Sequence, residues 1–568
     1  MIIASELSVA YEVCKKSLRA CLVFSLAANL LMLVPPFFML AVYDKAVSSS
    51  SLSTLASLSL AAAVLFVNLA VMEVLRSRLL VSISSRIDKA LGSAVHERVF
   101  INALKVGGDK ATAAPLFDLH GLRQFLTGNG IFAVFDAPWV PVYLLIMFLF
   151  HPMIGLIGVV ATLILLALAI LNQMESGNHL ALSNMQSRLS QDVTSRALRN
   201  AEAIATMGML PHISQQWRDR QDILLKHQQA ASIPAGFYNA MIKTVRLATQ
   251  SAAIGAGAYL VILQEISPGM LIAGSILVGR ALQPVEIAVG SWRGFIESRG
   301  QFERLNELFG SISIPDEKMA LPPIAGHIKV TSAVIVPPGS DSVAVNYANL
   351  EVPAGSVATI IGPSGAGKSS LIRGLLGLWP TVSGEIRIDG TEAASYSRLE
   401  LGPQIGYLPQ GIELLEGSIS SNIARFEEVD ADAVVAAAVA AGVHEFILSL
   451  PNGYDTSIGQ SGGMLSPGQR QRIGLARALY KWPKLVVLDE ANSNLDETGE
   501  QALIAAMTML KQRGSTVILV SHRQNVLPVS DILIIMNKTR VLNCGPTAQV
   551  IAEIEATSNS NQQIGAVT

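Results

Sequence analysis

Gly362-Pro363-Ser364-Gly365-Ala366-Gly367-Lys368-Ser369 fits G-x-x-x-x-G-K-[ST] and sits between an apolar strand-like run, Ser356–Ile361, and a helix-like run, Ser370–Leu378. In that setting the glycines let backbone N–H groups turn inward around an anion, and the following helix N-terminus adds the positive end of its dipole. Lys368 supplies a point charge for the β/γ-phosphates, the Ser369 hydroxyl is a ligand for Mg²⁺, and Ser370 opens the helix. The stretch predicts a nucleoside triphosphate, ATP or GTP, as the ligand.

Outward from this loop, the chain from about Ile324 alternates short β-type runs (His327–Val336, Ser356–Ile361, Glu385–Ile388, Leu485–Leu488, Thr516–Val520) with helical ones (Ser370–Leu378, Ala431–Ala441, Gln469–Tyr480, Gly499–Gln512). That alternation predicts an α/β domain with a parallel sheet over residues 324–556. Leu485-Val486-Val487-Leu488 is continuously apolar, as a strand buried on both faces should be, and it ends in Asp489-Glu490. Open α/β sheets place their ligands at such strand ends. Asp489 is expected to hold Mg²⁺, and Glu490 to orient or deprotonate the water that attacks the γ-phosphate. The stretch 557–568, rich in Ser, Asn and Gln, is expected to be disordered.

The other half is of a different kind. The 568 residues are 51% hydrophobic and 15% charged, with a mean hydropathy of +0.44, too apolar for soluble domains alone. Apolar stretches long enough for a ~30 Å hydrocarbon core lie at 18–41, 55–74, 131–150, 153–171, 248–263 and 270–289, which predicts six spans within 18–312 and a linker at 313–323. Lys and Arg gather in 1–17, between the second and third spans and between the fourth and fifth, so both termini are expected in the cytoplasm. The long inside segments, roughly 75–130 and 173–243, read as helical extensions of the spans. A net charge of −2 offers no basic stripe, which argues against a nucleic-acid partner. Cys14, Cys21 and Cys544 fit neither a disulfide framework nor a zinc site.

Leu465-Ser466-Pro467-Gly468-Gln469, continued by Arg470-Gln471-Arg472, also reads as a well-started helix, with Ser466 as N-cap and Pro467 at the first helical position. The Gly-Gln that follows resembles the Leu-Ser-Gly-Gly-Gln signature of the ATP-binding cassette (ABC) family. The resemblance extends to Gln410 in Tyr407-Leu408-Pro409-Gln410 (the Q-loop), to Ser493-Asn494-Leu495-Asp496 (the D-loop) and to His522 in Val520-Ser521-His522-Arg523 (the switch). It implies catalytic roles for Glu490, His522 and Lys368. It also implies Mg²⁺ ligation by Ser369, Gln410 and Asp489, and a homodimer in which Ser466, Gly468 and Gln469 of one chain complete the ATP site of the other. Three positions depart from the pattern: Pro467 replaces the first signature glycine, Ala491 stands where proline is usual, and Val334–Gly339 carries no aromatic for the adenine.

In the spans, Pro35–Lys45 and Phe135-Asp136-Ala137-Pro138-Trp139-Val140-Pro141-Val142-Tyr143 put acids and prolines at the ends of apolar runs. Two readings stand side by side: Asp44 and Asp136 at the water interface among aromatic anchors, or lining a pathway. Both stretches, with Arg199–Met209, resemble the permease half of type I secretion ABC exporters, particularly the PrtD-type subfamily. The implied architecture is an all-α six-helix transmembrane domain followed by an α/β P-loop ATPase domain, placed in a bacterial inner membrane. The implied activity is ATP-driven export of an unfolded protein bearing a C-terminal secretion signal. A periplasmic membrane-fusion adaptor, an outer-membrane channel of the TolC type and membrane lipid are the implied partners. Residues 1–17 leave no room for a peptidase-like domain, so leader cleavage is not expected. Coupling is expected through helix tips near Pro115–Leu126 and Ala205–Gln215, docking beside Gln410. An exporter of lipid, peptide or small molecules is the alternative within transport. An ATP-gated channel or a silent regulatory subunit is the alternative outside it, and the silent subunit predicts loss of Lys368, Asp489, Glu490 or His522, all of which are present.

Overall fold

Four of the six apolar runs become part of longer helices, and 18–41 and 131–150 are each divided between two, in the computed structural model, which describes residues 5–106, 112–128, 130–312, 321–340, 342–459, 465–493 and 495–565. The described residues form two compact units, one from 5–100 and 112–312, the other from 101–106 and 321–565.

The first unit is helical: α1 (Ser5–Leu31), α2 (Val34–Ala41), α3 (Leu52–Val106), α4 (Ala114–Thr127), α5 (Gly130–Asp136), α6 (Val140–Phe150), α7 (Pro152–Arg199), α8 (Ala201–Thr206), α9 (Leu210–Ile262) and α10 (Pro268–Ser311). Among the described residues, six helical stretches are long and apolar enough to cross a membrane. The 55 residues of α3 give a helix of about 80 Å, far more than the ~30 Å of hydrocarbon, so much of it extends beyond the lipid. Two spans are interrupted where proline removes an N–H: Pro35 and Pro36 restart the helix as α2, and the turn Ala137–Trp139 separates α5 from α6. Tyr143, Met147, Ile154, Leu165, Ile242, Leu277 and Leu282 form the core of this unit.

The two acids left open by the sequence separate here. Asp44 accepts hydrogen bonds from the Ser267 hydroxyl (2.5 Å) and the Gly269 N–H (3.0 Å) at the start of α10, so it serves a helix N-terminus. Asp136 lies inside the bundle, where it accepts from Asn29 Nδ2 (2.8 Å) and pairs with Arg76 (3.0 Å). Tyr143, read as an interface anchor, is only 1% exposed and donates its hydroxyl to Asn29 Oδ1 at 2.9 Å. Asp136 and Tyr143 thus face hydrogen-bonding partners on other spans and not the surroundings of the bundle.

The second unit contains strands β1 (Ile328–Ile335), β2 (Val345–Val352), β3 (Val357–Ile361), β4 (Thr381–Ile388), β5 (Thr391–Glu392), β6 (Ile405–Leu408), β7 (Gly417–Ser418), β8 (Ser457–Ile458), β9 (Leu485–Asp489), β10 (Thr516–Val520), β11 (Ile532–Asn537) and β12 (Arg540–Pro546). Its helices are α11 (Lys368–Leu375), α12 (Arg398–Leu401), α13 (Ile419–Ile423), α14 (Ala431–Ala440), α15 (His444–Ser449), α16 (Pro467–Leu479), α17 (Glu497–Gln512) and α18 (Thr547–Gly565). A six-stranded sheet runs β12-β11-β3-β10-β9-β6, parallel except for β12, and an antiparallel sheet runs β2-β1-β4-β5. β3, β9 and β10 are neighbours, so the loops after them open on the same edge of the sheet. The stretch from 557, expected to be disordered, instead continues α18 to Gly565, because extending an existing helix adds a hydrogen bond for each residue fixed.

Candidate functional site

The loop between β3 and α11 is shaped by two glycines, Gly362 and Gly367, that have no room for a side chain. A Cβ on Gly367 would stand 2.2 Å from the Ala344 carbonyl oxygen, and one on Gly362 equally close to that of Met536. Gly367 also has φ of 94°, a left-handed conformation that glycine enters without steric cost. The Lys368 ammonium folds back across the loop and donates to the carbonyls of Gly362 (2.9 Å) and Pro363 (3.0 Å). It is 5% exposed, and burial lowers its pKa from the ordinary lysine value.

Beside the loop, β9 delivers two carboxylates. Asp489 is 1% exposed and accepts from the Ser369 hydroxyl at 3.2 Å, which sets two oxygen ligands side by side. Burial pushes its pKa up. Glu490, the next residue, has φ of 52°, a left-handed conformation that costs a non-glycine residue about 1–3 kcal/mol. Its N–H still reaches the Val520 carbonyl (3.2 Å), so the turn begins on the parallel ladder and then leaves it. The turn brings the Glu490 carboxylate to Gln410 Nε2 (2.9 Å) and His522 Nε2 (3.3 Å). Three side chains that follow three adjacent strands, β6, β9 and β10, thus meet at one point.

The signature turn is placed separately. Ser466 caps α16 by accepting from the Gln469 N–H (3.2 Å), while Gln469 Oε1 accepts from the Ser466 N–H (2.8 Å). Gln469, which the resemblance implies helps complete a partner chain's ATP site, has its amide oxygen engaged in this capping box, and Pro467 takes the first helical position. Asp496 of the D-loop caps α17 through the Gly499 N–H (3.0 Å), and Asn494 lies outside the described residues. The strand β1 ends at Ile335, and Val336, Pro337 and Pro338 follow half-buried, with no aromatic among them.

Two further contacts were not read from the sequence. Asn492 Nδ2 donates to the Ser521 hydroxyl (2.9 Å), which joins the segment after Glu490 to the switch loop. Gln471 Nε2 donates to the carbonyl of Ala491 and to that of Glu490. Its signal was positional: Gln471 shares a helix face with the buried Leu475 and Ala478, which an exposed glutamine would not.

The residues present fit a magnesium-bound triphosphate: a loop closed by glycines, a cation at its mouth, and paired Ser369 and Asp489 oxygens. Comparison with known proteins agrees. The ABC transporter family model matches residues 345–493, and the ABC transporter transmembrane region matches 18–284. The chain is 42% identical to the type I secretion system ATP-binding protein PrsD of Rhizobium meliloti, over 94% of this chain and 92% of that protein. It is 29% identical to the alpha-hemolysin translocation ATP-binding protein HlyB of Proteus vulgaris, over 94% of this chain and 76% of that protein. A bacterial Atm1-family ABC exporter solved with ATP bound shares the fold, with a TM-score of 0.81 at 20% identity, covering 97% and 99% of the two chains. By its likeness to PrsD over nearly the whole length of both proteins, the chain belongs to the type I secretion branch of the ABC transporters, the ATP-hydrolysing transporters that cross the membrane several times.

Proposed function

We propose that this chain hydrolyses ATP to export an unfolded protein with a C-terminal secretion signal. It would act as a homodimer in a bacterial inner membrane, with its ATPase unit in the cytoplasm, a periplasmic adaptor of the membrane-fusion family and an outer-membrane channel of the TolC type. The observation that carries the ATPase part is the meeting of Gln410, Glu490 and His522 beside the Lys368 loop. The likeness to PrsD and HlyB supports the choice of a protein cargo.

In this reading residues 362–370 wrap the phosphates through backbone N–H groups, and Lys368 neutralises the β/γ charge. Ser369, Asp489 and Gln410 would hold Mg²⁺, whose charge stabilises the triphosphate as its terminal bond breaks. Glu490 accepts the proton of the attacking water, or aligns it, while its carboxylate is steered by Gln410 and His522. His522 donates toward the γ-phosphate. Ser466 and Gly468 of the partner chain close the site from the other side, so hydrolysis depends on two chains meeting.

The test is Glu490→Gln in the full-length protein, co-expressed with an adaptor and a candidate cargo. ATP binding should persist while turnover falls by about 10²–10⁴-fold, and cargo should stop reaching the medium. Normal hydrolysis by that variant removes Glu490 from its role. ATP-dependent movement of labelled lipid without any protein cargo would replace the secretion reading by the lipid-exporter one.

A further inference from the structure

Gln471 lies on the buried face of α16 and is 3% exposed. Its side-chain Nε2 donates to the Ala491 carbonyl and, at 3.3 Å, to the Glu490 carbonyl. These two carbonyls follow the end of β9, where the chain has left the ladder; the Glu490 carbonyl also accepts from the Ser493 N–H (3.1 Å), and Gln471 adds a side-chain donor to both. Glu490 carries the left-handed backbone there, a conformation that persists in a non-glycine residue only where its surroundings enforce it. The next residue on the helix, Arg472, donates to Asp496 Oδ1 and to the Thr498 hydroxyl (3.1 Å). Two consecutive side chains of one helix therefore hold the stretch around Glu490 near both of its ends.

We propose that Gln471 is a positioning residue for ATP hydrolysis: its amide fixes the left-handed turn that brings the Glu490 carboxylate to Gln410 and His522. The inference rests on the ATPase reading of Glu490 given above. The two hydrogen bonds of the Gln471 amide go to backbone carbonyls after β9, whereas Lys368 and Ser369 of the phosphate loop meet the Gly362 and Pro363 carbonyls and the Asp489 carboxylate. Without its donated hydrogen bonds, Glu490 relaxes toward an ordinary backbone conformation and its carboxylate leaves the point where the three side chains meet. Nucleotide binding stays, and the chemical step slows.

The test uses the full-length protein in lipid nanodiscs, with steady-state hydrolysis measured against ATP concentration for Gln471→Met, Gln471→Lys and Glu490→Gln. Methionine has the length of glutamine but donates nothing; lysine keeps a donor. Loss of a hydrogen bond that acts on the chemical step should lower kcat in Gln471→Met by roughly tenfold or more, with the KM for ATP within about twofold of wild type. Gln471→Lys should recover most of that loss. The proposal is overturned by a wild-type kcat in Gln471→Met, by a loss carried in KM, or by a lysine variant as slow as the methionine one. Glu490→Gln keeps the two ideas apart. If it hydrolyses ATP normally, the ATPase assignment of Glu490 falls; if it is inactive while Gln471→Met is normal, only the role of Gln471 falls.

Discussion

Two of the places where charge is buried in this molecule are built on opposite terms. In the first unit Asp136 is met by Arg76 and Asn29, Asn29 by Tyr143, and Arg76 also by Glu73 (3.0 Å) and by the face of Phe132 at 4.2 Å. Among the described residues the Arg76 Nε is the one nitrogen of that side chain without an acceptor. Charges sealed among membrane helices need such internal closure, because lipid offers no solvation. At the phosphate loop the buried charges are less well answered. Lys368 donates to neutral carbonyls, Asp489 is met by a hydroxyl, and burial shifts both groups away from their charged forms. Buried charge held against its own preference marks a place that waits for a ligand, whereas closed charge marks a place that holds helices together.

The largest effect should come from breaking the closed cluster. Arg76→Ala leaves Asp136 buried without its cation, which should destabilise the protein by about 3–5 kcal/mol. Arg76→Ala combined with Asp136→Ala should cost clearly less than the sum of the two single variants, because the stranded charge is gone. Thermal unfolding in detergent reads both, and simple additivity would mean that the pair does not act as a pair. The phosphate site should respond in the opposite sense. Lys368→Met should reduce turnover by about 10²–10³-fold, as expected for removing a charge-stabilising donor. Its unfolding temperature without nucleotide should not fall. A lysine whose folded pKa is depressed withdraws stability at neutral pH, where the ammonium is charged, and an uncharged side chain of similar length removes that penalty. A large drop in unfolding temperature would mean that the two regions obey the same rule after all.

How much of each region could be read in advance follows from the same difference. Phosphate chemistry demands fixed residue types at short spacing, so Gly362–Ser369 and the Asp489-Glu490 pair were legible as residues and as a place in the fold. Six membrane spans were legible because lipid thickness sets a length scale. The partners of Asp136 were not: Asn29 and Arg76 stand 107 and 60 residues away, and no local pattern announces a pairing across three helices. Gln471 was hidden for another reason. Its contact depends on the backbone conformation of Glu490, which follows from the strand leaving its ladder and not from any neighbour in sequence. Gln469 has a local role beside the ligand contact that the resemblance implies: a capping box, visible in Ser466-Pro467-Gly468-Gln469, engages its amide oxygen.

Two further sites lie nearer to solvent, and they should give smaller effects. Ser267→Ala removes a hydroxyl that donates to Asp44 and accepts from the Met270 N–H, so it should cost about 1 kcal/mol in unfolding with the transport activity retained. No measurable change would mean that water replaces the hydroxyl at this helix start. Smallest of all should be the effect of Asp496→Asn, which keeps a side-chain oxygen for the Gly499 N–H but discards the charge facing Arg472. The Gly499 N–H, then Arg472 and Thr498, hold the Asp496 carboxyl below the usual carboxylate range. A carboxylate with a depressed folded pKa contributes stability above its unfolded value, near about 4, and loses it as the pH falls through the folded one. Wild type and Asp496→Asn should therefore differ by a constant amount near neutral pH and converge as the solution becomes more acidic than about pH 4. Because the carboxylate is open to water, salt should shrink the neutral-pH difference, which it should not do at Arg76 and Asp136. Unfolding temperatures recorded against pH at low and high salt decide it, and a gap that survives both acid and salt would assign the whole contribution of Asp496 to its cap and none to its charge.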